Sequence, residues 1–247
     1  MDKFIHYPVF QSYENLLAFT TTKQSLNTET ARFTGDSTSV FAANRKELAR
    51  LLNIETEQLV FPRQTHTSRV AVVHEIPKQE IAETDALVTN QPGICICVQT
   101  ADCVPILLFD PQKKVIAAVH AGWRGTVANI VAETVQKMQE EYKSDPINIK
   151  AAIGPSIGPV VYEVGSEVEQ AARQAIPGSE ETLCLNGAGK YHFNLWEANR
   201  RLLIESGVQA QNIGVLEECS FQNQEKYYSA RREGVDTGRM VSGIMLR

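Results

Sequence analysis

The sequence has few histidines and cysteines and lacks the apolar segments that carry a chain into a membrane. Its 247 residues include five histidines and five cysteines. No apolar run approaches the ~18 residues of a membrane span. The first residues, MDKFIHYPVFQSYENLL, lack the continuous apolar stretch of a secretory signal. We therefore expect a cytoplasmic protein with no membrane partner.

The sequence also lacks long runs of like charge and has only a small net charge. The formal net charge is -5, and no stretch of five or more like charges occurs. Since nucleic-acid-binding surfaces are usually basic, no nucleic-acid partner is predicted. An odd number of irregularly spaced cysteines is a poor disulfide framework. This pattern favours reduced thiols that remain available for catalysis or metal binding.

No internal repeat and no Pro/Gly/Ser-rich linker divides the sequence, so residues 1–247 are expected to form a single domain. Strands and helices cluster without strict alternation, which predicts an α+β fold. Helices are predicted from apolar periodicity over residues 44–53, 126–142, 165–175 and 195–205. Strands are predicted over residues 58–61, 69–76, 85–89, 94–98, 104–109, 115–119, 147–153, 213–216, 227–230 and 240–246.

The stretch with the most chemistry is TADCVPILLFDPQKKVIAAVHAGWRGT, residues 100–126. Cys103 precedes one apolar strand, and His120 ends the next strand after a short turn. In an antiparallel hairpin the start of the first strand lies beside the end of the second. The sequence therefore predicts that Cys103 and His120 are neighbours at one edge of a sheet, where functional residues often lie.

A third candidate, His66, follows a predicted strand in the polar segment PRQTHTSRV. Together with Cys103 and His120 it provides two imidazole nitrogens and one thiolate, a donor set that suits zinc. Three protein ligands leave one coordination position open, which is typical of catalytic zinc. We therefore predict a zinc site on His66, Cys103 and His120.

Several motifs resemble the YfiH-like family, whose members are also described as laccase-domain or multicopper polyphenol oxidase proteins, purine nucleoside phosphorylases or peptidoglycan editing factors. The matching segments are RQTH, TDALVT, TADCVPILLFD, HAGWRGT, GPSIGPVVYEVG, YHFNLW and YYSARREGVDTGRM, within residues 61–246. Two positions depart from the family pattern. Ser156 stands where many members have Cys, which argues against a required nucleophile there, and Asn194 stands where many have Asp.

The resemblance implies a four-layer α/β/β/α fold with mixed sheets, related to the catalytic domain of cytotoxic necrotizing factor. It also implies zinc on the residues that match His66, Cys103 and His120. The implied reaction is phosphorolysis of purine nucleosides such as adenosine or inosine, with adenosine deamination and methylthioadenosine cleavage as companion activities. The expected partners are a purine nucleoside and phosphate, and the expected state is a monomer.

Phosphorolysis requires a bound anion and a purine that leaves with a proton. Bidentate guanidinium groups suit the anion. Asp102 and Asp85 are candidates for orienting the ligands or for acid–base chemistry, with Asp102 assigned to the catalytic set. Asp102 ranks lower as an acid because Asp often caps turns. The candidate substrate- or phosphate-binding residues are Arg63, Gln64, Asp85, Arg124 and Arg231.

Other functions remain open at this point. A copper polyphenol oxidase would need more imidazoles for a trinuclear cluster than five histidines allow, although copper also binds such a site tightly. A cysteine hydrolase would use Cys103 as nucleophile and His120 as base, and would suit peptidoglycan editing. A non-catalytic binding role is least favoured, because the polar residues concentrate at strand ends.

Overall fold

Strands and helices alternate irregularly along the computed structural model, which describes residues 3–26, 31–34, 38–186 and 188–247. The α-helices of these residues are α1 (Thr38–Leu52), α2 (Trp123–Val127), α3 (Ile130–Tyr142), α4 (Ser166–Ala175), α5 (Leu195–Glu205) and α6 (Ala230–Glu233). The strands are β1 (Phe4–Ile5), β2 (Leu16–Thr21), β3 (Leu59–Val60), β4 (Val70–Val72), β5 (Ala86–Thr89), β6 (Cys95–Thr100), β7 (Val104–Asp110), β8 (Val115–Ala121), β9 (Lys150–Ile153), β10 (Glu163–Val164), β11 (Leu183–Leu185), β12 (Tyr191–Phe193), β13 (Ile213–Val215) and β14 (Met240–Leu246).

The strands form two large mixed sheets and one small sheet within the described residues. The five-stranded sheet has the order β1-β2-β14-β6-β3, and the six-stranded sheet has the order β13-β9-β7-β8-β5-β4. The β3–β6, β4–β5 and β9–β13 pairs are parallel, whereas the other pairs of these two sheets are antiparallel. The small sheet, β10-β12-β11, is antiparallel.

The alternation of side chains along the strands shows how the layers stack. Cys97 of β6 packs in one core cluster with Leu48 of α1. The next residue, Val98, packs instead with Leu107 of β7, so the two large sheets face each other. Leu108 points the opposite way, into the core beneath α3, α4 and α5. The layers are therefore α1, the five-stranded sheet, the six-stranded sheet and a second group of helices, which confirms the α/β/β/α expectation.

The predicted antiparallel hairpin is confirmed. β7 and β8 pair along their full length, with Val104 opposite Ala121 and Pro105 opposite His120. Because Cys103 immediately precedes β7, it lies at the same end of the hairpin as His120. The register of the hairpin therefore brings these two candidate ligands together.

Two sequence predictions are wrong. Residues 126–142 do not form one helix, because Asn129 adopts a left-handed conformation with φ of 58° between α2 and α3. Residues 227–230 do not form a strand. Tyr227 and Tyr228 pack into the core without pairing to a sheet, and Ser229 caps α6 through its hydroxyl.

Among the described residues, no helix combines the length and the apolar character needed to cross a lipid bilayer.

Candidate metal centre

The side chains of His66, Cys103 and His120 converge as the sequence predicts. Their potential ligand atoms all lie within 4.8 Å of one another. Cys103 Sγ lies 3.8 Å from His66 Nε2. The two imidazole rings meet edge to face, with centroids 4.9 Å apart and planes at 75°. His120 is buried, Cys103 is half-buried and His66 is exposed, so the group faces outward at one side.

Three separate elements present these ligands. His120 lies on β8, and Cys103 lies in the turn before β7. His66 lies in the loop between β3 and β4 and has a φ of 61°, in the left-handed region. Such a conformation is uncommon for a residue with a side chain, and persists only where the surrounding contacts fix it.

The Asp85 carboxylate supplies those contacts. It is fully buried directly before β5. Its Oδ1 accepts the backbone N–H of His66 at 3.0 Å, and its Oδ2 accepts the backbone N–H groups of Thr65 at 3.2 Å and Thr67 at 2.8 Å. The Thr67 hydroxyl donates to Oδ2 at 2.8 Å. One carboxylate thus fixes the loop that carries the first ligand.

The same carboxylate orients the buried histidine. His120 Nδ1–H donates to Asp85 Oδ1 at 2.8 Å. Since a carboxylate only accepts hydrogen bonds, this contact keeps a proton on Nδ1, so Nε2 is the nitrogen that can bind a metal ion when it is deprotonated. Asp85 was predicted as a substrate contact or an orienting group, and the structure places it behind the ligands.

The pKa values reflect this arrangement. Burial raises the pKa of the Asp85 carboxyl, but the hydrogen bond and charge of His120 outweigh burial and hold it well below its ordinary value. Burial lowers the pKa of His120, yet the Cys103 charge and the Asp85 contact raise it to about 9. Burial also raises the pKa of the Cys103 thiol, whereas His120 and His66 lower it more, to about 6. Each of these two groups therefore favours the charged form of the other, the Cys103 thiolate and the His120 imidazolium.

The donor set fits one zinc ion. In a tetrahedral site with Zn–S of about 2.3 Å and Zn–N of about 2.0–2.1 Å, sulfur and nitrogen lie about 3.6 Å apart. The observed separation of 3.8 Å between Cys103 and His66 is close to this value. Within the residues that the structure describes, no other His, Cys, Asp and Glu group of three comes together in this way. The described residues therefore provide one set of three ligands, which suits a single ion.

Gly122 is a residue of the site that the sequence analysis did not identify. It is the N-cap of α2 in the HAGWRG segment. A Cβ added at this position would lie 3.0 Å from both Cys103 Sγ and His66 Cδ2. The absence of a side chain thus lets α2 begin directly against two of the ligands.

A cavity of about 590 Å³ lies against the ligands. This volume is in the range of small-molecule sites. Its walls combine arginines with aromatic, aliphatic and amide side chains. They are Arg32, Thr34, Arg63, Gln64, His66, Gln99, Ala101, Asp102, Cys103, His120, Ile157, Tyr162, Ala230, Arg231 and Arg239.

Two of the three predicted arginines line this cavity. Arg63 and Arg231 are both exposed at its edge, and the Arg231 guanidinium lies 5.3 Å from the centre of the Tyr162 ring. Arg124 does not line the cavity. Its guanidinium stacks on the neighbouring Trp123 ring at 4.3 Å.

The amide of Gln64 is committed to the backbone of β6. Its Nε2 donates to Gln99 O at 2.8 Å, and its Oε1 accepts from Gln99 N at 2.8 Å. Gln64 therefore joins the His66 loop to the five-stranded sheet. Both hydrogen-bonding ends of the amide are occupied by this contact.

Both oxygens of the Asp102 carboxylate also accept hydrogen bonds within the protein. Its Oδ1 accepts the Ser220 hydroxyl at 2.6 Å, and its Oδ2 accepts the Ser229 hydroxyl at 3.0 Å and the Arg231 backbone N–H at 2.7 Å. These contacts tie the turn before Cys103 to the segment that begins α6. The carboxylate lies in the cavity wall, and its oxygens are already hydrogen-bonded.

Arg32 and Arg239 line the cavity without having been predicted. Arg239 lies within the family-like segment YYSARREGVDTGRM, so the sequence pattern could have identified it as a candidate site residue. Arg32 lies outside all of the family-like segments. Its position follows from long-range packing, because the backbone N–H of Arg239 donates to Ala31 O at 2.6 Å.

The chain is similar to known proteins over most of its length. A family model described as "Multi-copper polyphenol oxidoreductase laccase" matches residues 19–247. A protein named "Purine nucleoside phosphorylase" from Bacteroides thetaiotaomicron is 35% identical over 99% of this chain and 96% of its own length. One named "Adenosine deaminase RL5", from an unknown prokaryotic organism, is 40% identical over 95% of both chains.

Solved structures show the same fold. YlmD from Geobacillus stearothermophilus matches with a TM-score of 0.90 and 29% identity over 100% of both chains. The YfiH protein of Bacillus licheniformis matches with a TM-score of 0.88 and 30% identity, over 94% of this chain and 93% of that one.

Proposed function

Since this chain belongs to the YfiH-like family, described as multi-copper polyphenol oxidoreductase laccase, we propose that it is a zinc-dependent purine nucleoside phosphorylase. Its reaction converts adenosine or inosine and phosphate to the free base and ribose 1-phosphate. Adenosine deamination and methylthioadenosine phosphorolysis are proposed as side activities. The observation that carries the proposal is the His66, Cys103 and His120 group beside an arginine-lined cavity.

His66, Cys103 and His120 would hold the zinc ion. That ion would supply a Lewis acid next to the bound substrate. Asp85 keeps His120 Nε2 directed at the site and holds the His66 loop. These contacts fix the ligands before binding, which preserves the geometry on which catalysis depends.

The cavity walls suit a nucleoside. Ile157 and Tyr162 are buried apolar and aromatic surfaces of the wall, on which a purine base can pack. We assign Arg63 and Arg231 to contacts with the polar parts of the substrate at the edge. We assign Asp102 to positioning of Arg231, since its oxygens accept three hydrogen bonds.

The chain is proposed to act as a single catalytic domain, as a monomer in the cytoplasm. All three candidate ligands come from one chain. All five cysteines are free thiols, although Cys95 and Cys97 Sγ lie 3.7 Å apart. Free thiols fit a reducing compartment.

The test is an assay of adenosine, inosine and methylthioadenosine with and without phosphate. We expect base release only with phosphate, and its loss in His66→Ala, Cys103→Ala and His120→Ala. His74→Ala is a matched control, because this histidine is exposed and does not line the cavity. Retention of activity in all three ligand variants, or base release without phosphate, would refute the proposal.

Metal analysis separates zinc from copper. Protein purified without added metal is expected to carry about one zinc ion per chain, because the described residues provide one three-ligand group. Copper at that position, together with oxidation of phenols that depends on it, would favour a polyphenol oxidase instead.

A second candidate is a cysteine hydrolase, favoured by the lowered pKa of Cys103 and its 3.8 Å contact with His66. Such an enzyme would remain active in the presence of a chelator, and alkylation of Cys103 would abolish its activity. It would also suit a role in peptidoglycan editing.

A further inference from the structure

Two arginines of the cavity wall donate to the same backbone oxygen. Arg32 Nη2 and Arg239 Nη2 each donate to the carbonyl of Val235 at 2.8 Å. The two nitrogens are therefore separated by at most twice that distance. Both groups also contact Thr237 O, through Arg32 Nε at 3.4 Å and Arg239 Nη1. The loop before β14 thus holds two cations side by side.

This pair lies in the wall of the cavity that contains the candidate metal ligands. Unlike Arg63 and Arg231, which are exposed, Arg32 and Arg239 are half-buried. Half-buried charges are less screened by water than exposed ones. The pair is therefore the more strongly cationic part of the cavity wall.

Each guanidinium keeps donors for a ligand. An arginine has five N–H donors. Arg32 uses Nε and Nη2 on Val235, Thr237 and Asp236, so the two N–H groups of Nη1 have no acceptor among the described residues. Arg239 uses Nη1 and one N–H of Nη2, so Nε–H is left without an acceptor there.

The negative groups that act on Arg239 are Cys103, Asp102 and Asp236. Asp236 lies 3.4 Å from Arg32 Nη2, but its side chain is 98% exposed and is solvated by water. Asp102 is the one carboxylate in the cavity wall, and its oxygens accept hydrogen bonds from other groups. Burial and the charge of Arg32 both lower the pKa of Arg239, which reflects the repulsion between the two cations. An anion that bridges them would relieve this repulsion.

We propose that the Arg32–Arg239 pair is the binding site for inorganic phosphate, the second substrate of the reaction. This assignment rests on the proposed phosphorolysis. The paired donors suit the several oxygens of a phosphoryl dianion. In the reaction, a phosphate oxygen bonds to the ribose C1′ while the bond from C1′ to the purine nitrogen breaks. Its electron pair stays on that nitrogen, which receives the proton that hydrogen phosphate loses.

The kinetic test compares Arg32→Gln and Arg239→Gln with wild type. We expect each variant to raise the KM for phosphate at least about tenfold, because each removes charge-assisted hydrogen bonds to a dianion. The KM for adenosine and the metal content should stay within about twofold of wild type. Adenosine deamination requires no phosphate and should be retained. Arg50→Gln is the matched control, because Arg50 is an exposed arginine on α1 that pairs with Glu47.

Arg239 also donates to backbone carbonyls, so Arg239→Gln could disturb the local structure. A second substitution at this position is therefore needed. Arg239→Lys keeps the charge without the planar fork and should give an intermediate KM for phosphate. An unchanged KM for phosphate in both Arg32→Gln and Arg239→Lys would overturn the proposal. So would an equal loss of deamination and phosphorolysis in Arg32→Gln, because deamination requires no phosphate and a residue that binds only phosphate should not affect it.

A binding titration separates this site from the reaction. Inorganic phosphate and AMP, which carries a similar phosphoryl dianion, are titrated by calorimetry into wild type and Arg32→Gln. Loss of phosphate binding in the variant supports the site even if wild type releases no base, in which case the proposed function alone fails. Loss of AMP binding with phosphate binding intact would overturn the proposal and indicate a nucleotide site.

Discussion

Asp85 Oδ1 lies 2.8 Å from His120 Nδ1 and accepts a hydrogen bond from its N–H. The same oxygen accepts the backbone N–H of His66 at 3.0 Å. One buried carboxylate therefore connects two candidate ligands that come from a strand and from a loop. The position of one ligand depends on the position of the other through this group.

Replacing Asp85 with Asn should weaken metal binding by about 10–100-fold. The amide keeps one acceptor oxygen, but its NH₂ group would face the N–H donors of the His66 loop or of His120. Competition with a chelator of known affinity measures this loss. The melting temperature should fall as well, because buried donors lose their acceptor.

Asp110→Asn is the matched control for that experiment. Asp110 is fully buried at the end of β7, and its Oδ2 has no hydrogen-bond partner among the described residues. Its Oδ1 accepts the backbone N–H groups of Gln112 and Lys113. Metal affinity should be unchanged in this variant. If both variants lose the metal equally, the contribution of Asp85 is not specific to the ligands.

Gly122→Ala should disturb the metal site, although it adds only a methyl group. The new Cβ would lie 3.0 Å from Cys103 Sγ and from His66 Cδ2. Crowding of this kind costs about 1–3 kcal/mol. We expect about a tenfold or greater loss of metal affinity, measured by chelator competition, with the far-ultraviolet circular dichroism spectrum unchanged.

Gly165→Ala is the matched control for Gly122→Ala, because the two glycines have the same backbone conformation. Gly122 and Gly165 are both N-caps of helices, with φ/ψ of -71°/172° and -80°/173°. A Cβ on Gly165 meets no atom within 4 Å. Equal effects of the two substitutions on metal affinity would show that capping, and not contact with the ligands, explains the result.

Much of the site could be predicted from the sequence because its ligands lie at the ends of strongly apolar strands. Cys103 and His120 flank two runs joined by a short turn, so local pattern alone sets their register. Ser156 and Asn194, the two departures from the family pattern, now have structural roles. Ser156 Oγ accepts the Trp196 indole N–H at 2.5 Å, and the Asn194 side chain caps α5.

The rest depends on contacts between distant parts of the chain. β2 was not predicted, and it is held by β14 from the other end of the sequence. Arg32 lies in the cavity wall because the chain after β2 packs beside the segment before β14. The role of Asp85 was only partly predicted, because a carboxylate before a strand gives no indication of which N–H groups it will accept.

The Cys103 thiol should react fast with iodoacetamide only when the metal is removed. Its pKa is lowered to about 6 in the metal-free protein, so it is a thiolate at neutral pH. The rate should be constant above about pH 7 and fall as the pH drops through 6, because protonation removes the nucleophile. Mass spectrometry of the labelled peptides measures both rates.

Cys184 provides the internal reference, because it is an exposed free thiol. Its labelling rate should not depend on metal, whereas zinc should protect Cys103. Equal labelling of Cys103 with and without bound zinc would show that the thiol is not a ligand, and would favour the cysteine hydrolase.

Replacing Asp102 with Asn distinguishes an orienting group from a general acid. Loss of a general acid costs about 10²–10⁴-fold in kcat. Asp102 instead accepts hydrogen bonds from Ser220, Ser229 and the backbone of Arg231. We therefore expect kcat to fall less than tenfold, while the KM for nucleoside rises because Arg231 shifts.

The free energy of unfolding should fall by about 1–3 kcal/mol in the same variant, because the amide satisfies fewer buried donors. Urea denaturation and steady-state kinetics on the same preparation measure both effects. A hundredfold loss of kcat at unchanged stability would instead assign Asp102 to the chemical step.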